Sequence, residues 1–217
     1  MKDCSLPTRK ECLAILAEYH IPPHIVSHSK AVAKLAVFLA QRLNENGEAV
    51  DVTLLEGACL LHDLLRVHDF KESDYNRFER NLPEEERAKW QQIRAKYKAI
   101  PHELAAHDIL KDKYPVLALT IKRHRYMALL DEKDRPETWE EKLLYYADKR
   151  VMHDKIMPLK ERLAEGHKRN VLLHGSAAQS KTNTAKVDPL IEEMEKEIFE
   201  KTGLDPLEVT AEFIDSY

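Results

Sequence analysis

The sequence predicts an all-α protein organised as a helical bundle. Three observations carry that reading. Apolar residues recur at 3.6-residue spacing along most of the chain. Prolines stand at the points where helices would begin. Glycine occurs only 5 times in 217 residues and aromatics make up 7%, too few for the tight turns of an all-β sandwich or barrel.

The elements follow in order. LPTRKECLAILAEYH (6–20) reads as a first helix with Leu13, Leu16 and Ala17 inward. Pro22 and Pro23 break it and open the next, 24–44, whose stripe is Ile25, Val32, Leu35, Ala36, Leu39 and Leu43. A third helix is expected over 50–70, capped by Asp51 or Thr53, with Leu54, Ala58, Leu61 and Leu65 inward. The charged run 71–100 predicts a solvated face or flap, with a short helix after Pro83. Pro101 and Pro115 open helices over 101–114 and 115–130, and a further helical segment, 139–170, is divided or kinked at Pro158. HGSAAQSKTNTAKVD lacks an apolar period, so 171–188 is expected to be a loop or linker, with 166–187 a mobile connection bordering the site. Residues 189–217 form a helical appendage that folds back on a core of residues 1–170, because about 29 residues are too few for a core of their own.

Bulk composition narrows the function classes. Hydrophobic and charged shares of 43% and 33% fit a globular protein. A net charge of −4 argues against a general nucleic-acid-coating role, and no sequence-specific nucleic-acid partner is expected. No apolar run reaches the roughly 18 residues of a membrane span, and MKDCSLPTRKEC has no signal-like apolar region. Cys4, Cys12 and Cys59 are widely spaced and odd in number, which fits a reducing cytoplasm; Cys59 reads as a small core residue. Homo-oligomerisation is left open.

Polar residues on the apolar stripes are the informative feature. His28 lies between Ile25 and Val32, His62 between Ala58 and Leu65, and Asp63 is the neighbour of His62. His102 precedes Ala105, Ala106 and Ile109, His124 falls between Ile121 and Ala128, and Asp148 between Leu144 and Val151. One buried histidine is ordinarily a satisfied core residue. Five helices aiming imidazoles and carboxylates at one interior need a shared partner, and a metal is the economical one. Nitrogen and oxygen donors without thiolate suit Mn, Fe, Co, Ni, Zn or Mg. Six ligands exceed what one catalytic ion requires, so two ions bridged by a carboxylate fit better.

The order His28, His62-Asp63, Asp148 resembles the signature of the HD-domain superfamily of metal-dependent phosphohydrolases. The stretches PPHIVSHSKAVAKLA, LLEGACLLHDLLR and KLLYYADKRV look typical of it, and the resemblance spans about residues 22–162. It implies an HD-domain helical bundle with a C-terminal helical appendage. It also implies that His28, His62, Asp63 and Asp148 hold a first divalent ion, and His102 and His124 a second, with Asp63 bridging. His107, five residues after His102, points to another side of its helix.

Such a site would hydrolyse a phosphate ester or anhydride of a small phosphorylated substrate, a nucleotide above all, with a metal-activated hydroxide. Candidate phosphate-binding cations are Arg66, Lys122, Arg123, Lys149 and Arg150; Arg66 and Lys149 directly follow motif segments and are preferred. The pairs His68-Asp69 and His153-Asp154 are expected to face solvent. Two other readings stay open: a di-iron oxygenase with the same ligand set, and a non-catalytic nucleotide-binding regulatory module.

Overall fold

The computed structural model describes residues 5–70, 83–174 and 177–217, with side chains described outside 170–180. Among the described residues it is all-α apart from one small hairpin. The helices are α1 (Arg9–Glu18), α2 (Pro23–Glu45), α3 (Val52–Leu61), α4 (Glu84–Lys96), α5 (His102–Leu110), α6 (Pro115–Lys122), α7 (Trp139–Asp148), α8 (Leu159–His174), α9 (Ala177–Thr202) and α10 (Ala211–Asp215). Single 3-10 turns follow α3 (Arg66–Asp69) and α6 (Tyr126–Leu130).

α2 is the central rod. Its stripe of Val32, Leu35, Ala36, Leu39 and Leu43 is wholly buried, and it packs on α3, α7 and α9. Each buried leucine contributes about 1.5–3 kcal/mol by removal from water. α3 is apolar nearly all round, with residues 57–61 all buried. That pattern belongs to a helix covered on every side. Gly57 lets α6 come close, since a Cβ there would meet Leu117 Cδ1 at 3.0 Å. Asp51, not Thr53, caps α3 by accepting from the Leu54 amide.

Several expected boundaries move. α3 stops at Leu61 rather than running to 70, and α6 stops at Lys122 rather than running to 130. In both places the next turns close with i to i−3 bonds, such as Leu64 N–H to Leu61 O and His124 N–H to Ile121 O. The expected 139–170 helix is interrupted by an antiparallel hairpin, β1 (Val151–Met152) with β2 (Lys155–Ile156), turned by His153 at φ +58°.

The loop expected over 171–188 is not found in the described residues. α8 extends to His174 and α9 begins at Ala177, reading through Pro189. Small and polar residues lack an apolar period but do not forbid a helix, and α9 is held by later residues. Val187, Ile191, Met194, Ile198 and Phe199 are buried in the same core as α2 and α7. Residues 71–82 of the charged run, including any lid, lie outside the described residues. α4, just after them, buries Trp90 and Ile93.

Candidate metal centre

Five of the six candidate ligands stand at or just past helix ends. His62 is the C-cap of α3 and Asp63 follows it; His102 opens α5; Asp148 closes α7; His124 lies two residues beyond α6; only His28 is mid-helix, in α2. Side chains at helix ends can converge from several directions on one point, which a single helix face cannot do.

They do converge. His62, His102 and His124 are buried, and Asp63 and Asp148 expose only 15% and 18% of their side chains. Ring centroids are 5.3 Å apart for His28 and His62, 5.0 Å for His62 and His124, and 5.8 Å for His102 and His124. His28 Nε2 lies 3.0 Å from Asp148 Oδ1, and His102 Nε2 lies 3.1 Å from Asp63 Oδ1. Two donor groups form, His28 with His62 and Asp63, and Asp63 with His102 and His124, each with its donor atoms within 4.8 Å of one another. Asp63 belongs to both.

Every imidazole is oriented by its far nitrogen. Nδ1 of His28 is 2.8 Å from the His153 carbonyl, Nδ1 of His62 is 2.7 Å from the Cys59 carbonyl, and Nδ1 of His124 is 2.5 Å from the Ile121 carbonyl. Nδ1 of His102 is 2.8 Å from Asp69 Oδ2. Carbonyls and carboxylates only accept, so each Nδ1 carries the proton and Nε2 is turned to the site. That is how metal-binding histidines are held.

The charges fit the same role. Burial opposes ionisation of Asp63, but His62 and His102 hold its pKa well below the usual carboxylate range. Burial likewise opposes ionisation of Asp148, and Lys149, His28 and His62 overcome it. Burial and Arg66 work against protonation of His102, yet Glu103, Asp63 and Asp69 raise its pKa to about 9. Burial and His62 lower that of His124 to about 4. His62 Nε2 is buried with no hydrogen-bond partner, its nearest carboxylate oxygens being 3.6 Å off. An orphaned imidazole nitrogen between two ionised carboxylates is what a cation would satisfy. The donor set therefore fits one or two divalent ions.

A cavity of about 590 Å³ opens over these groups. Of the expected cations, Arg66 and Lys149 line it. Lys149 donates to Asp148 Oδ2 at 2.7 Å and to the His124 carbonyl at 3.1 Å. Lys122, Arg123 and Arg150 are engaged elsewhere: Lys122 with Asp134, Arg123 with Glu141, and the buried Arg150 with carbonyls of Met157, Pro206 and Val209. His107 is not among the cavity residues.

The HD domain family model matches residues 25–152. The chain belongs to the HD-domain family. No curated protein and no solved structure gives a match. HD domains bind divalent metals and are in general metal-dependent hydrolases. The matched range takes in all six candidate ligands, whereas α8 and α9 lie beyond it.

One of the two His-Asp pairs expected to face solvent needs correcting. His68 is buried, not solvent-facing, and Asp69 holds the His102 ring. The side chain of His153 is exposed, but its carbonyl holds the His28 ring. The sequence reading also missed Glu103, which lines the HD cavity beside His102, and the α8 and α9 residues Arg162, His167, Arg169, Asn183 and Thr184 on its wall. Glu103 follows His102 directly and was within reach of pattern reasoning; the others depend on how the chain returns.

Proposed function

We propose that the protein is a metal-dependent phosphohydrolase that cleaves a phosphate ester or anhydride of a nucleotide. One observation carries this reading: a single carboxylate, Asp63, is shared by two histidine-rich donor groups. His28, His62, Asp63 and Asp148 would hold a first ion, and Asp63, His102 and His124 a second. Two divalent ions so placed lower the pKa of a water molecule and neutralise phosphate charge.

The remaining roles belong to the chain itself. The four Nδ1 hydrogen bonds keep the imidazoles aligned before substrate arrives. Lys149 and Arg66 stand on the cavity wall, where a cation can hold a phosphate oxygen and offset charge developing on it. The aromatic residues Phe70 and Tyr126 on the same wall suit a nucleobase, and the cavity volume is within the range of small-molecule sites. The buried free thiols of Cys12 and Cys59 fit a reducing cytoplasm.

The test is metal analysis of protein purified without added metal, followed by a phosphate-release screen over nucleotides with Mn²⁺ or Mg²⁺. Divalent metal in the protein and metal-dependent phosphate release are expected, with both lost or sharply reduced in Asp63→Asn. Turnover that needs oxygen and bound iron would identify an oxygenase instead. Bound nucleotide with no turnover would identify a regulatory module.

A further inference from the structure

Cleavage of an ester with a poor leaving group needs a proton at the departing oxygen. Given the phosphohydrolase reading, on which this inference rests, the cavity must supply one. Tyr126 already donates its hydroxyl to Asp188 Oδ1 at 2.7 Å. Glu103 is turned to the His102 ring, its Oε2 3.5 Å from Nδ1. The arginines and Lys149 are better matched to phosphate oxygens.

His167 is different. It lines the cavity from α8, with 27% of its side chain exposed. Its Nε2 lies 2.7 Å from Asp188 Oδ2, on α9. Tyr126 holds the other oxygen of that carboxylate and packs its ring edge-on to the His167 ring at 5.9 Å. Tyr145 in turn donates to the Tyr126 carbonyl at 2.7 Å. The carboxylate is thus pinned from two sides and the imidazole is aimed by it. A carboxylate behind an imidazole is the arrangement that orients a histidine for proton transfer. Both residues lie outside the range shared with the HD family.

We propose that His167, oriented by Asp188, is the general acid that protonates the leaving group. As the bond from phosphorus to the leaving oxygen breaks, the proton on His167 Nδ1 passes to that oxygen. The proton on Nε2 stays hydrogen-bonded to Asp188. The hydroxyl derived from water remains on phosphorus, and the other proton of that water restores the imidazolium.

Two aryl esters of similar shape test this: phenyl phosphate, a poor leaving group, and 4-nitrophenyl phosphate, a good one. Both are followed with the Mn²⁺-loaded full chain and with His167→Asn, folding being checked by thermal melting. The kcat of the variant on phenyl phosphate falls by about 10²-fold or more, and its loss on 4-nitrophenyl phosphate is at least about tenfold smaller. Asp188→Asn shows the same bias to a lesser degree, and serves alone if His167→Asn does not fold. Equal losses on the two esters, or none on either, would overturn the assignment, because a purely structural role does not distinguish leaving groups. A wild-type protein that, with metal present, releases phosphate from neither ester and from no nucleotide in the screen would instead overturn the phosphohydrolase reading.

Discussion

Asp69 shows how much a single side chain beyond the ligands can decide. It touches no donor group of the site except through His102, whose Nδ1 it holds. Removing such a partner of a metal-binding histidine weakens metal affinity by about 10–100-fold. Asp69→Asn is therefore expected to bind its second ion in that proportion more weakly, with the first little changed, as read by calorimetric titration of Mn²⁺. The His102 ring also sets a pH dependence. Its pKa of about 9 in the metal-free protein means Nε2 is protonated at neutral pH and must lose that proton to become a ligand. Second-site affinity should then rise with pH by about tenfold per unit up to pH 9 and level off above it, and binding at pH 7 should release a proton, measurable in buffers of differing ionisation enthalpy. Five of the six candidate ligands were legible from their inward phase on an apolar stripe, and Asp63 from its place beside His62. Asp69 was not: in a His-Asp pair six residues after His62-Asp63, it reads as a helix-end surface residue until the 3-10 turn places it beside α5.

Helices were legible where an apolar stripe and a proline or polar cap coincide, as at the start of α2 and at Asp51 before α3. Their ends were not, because Leu64 and Leu65 continue an apolar run after the α3 backbone has turned off, and Ala128 does so after α6. The small hairpin after α7 has only two residues per strand, too short for a period to declare itself. α9 is the instructive miss. Its start, 177–186, has no apolar stripe, and its backbone continues through Pro189 because residues on both sides of that proline, Val187, Ile191, Ile198 and Phe199, fasten it into the core. Ile198→Ala removes a fully buried side chain from that seam and is expected to destabilise the whole protein by about 2–5 kcal/mol in one cooperative transition. A separate early transition for the C-terminal helices in calorimetry would contradict this docking.

For the molecule as a whole, the bundle and the candidate metal centre are one construction. The apolar stripes bring α2, α3, α5, α6 and α7 together, and the ends of those helices leave their polar residues around one point. No helix among the described residues is long and apolar enough to cross a membrane. α8 and α9 then close one side of the cavity, contributing His167, Arg169 and Asn183 to its wall. The most direct test of this account is anomalous diffraction from crystals of the full chain grown with Mn²⁺. Two ions are expected with Asp63 between them, one bound by His28, His62 and Asp148 and the other by His102 and His124. A single ion with His102 and His124 turned away from it, or none at all, would contradict it.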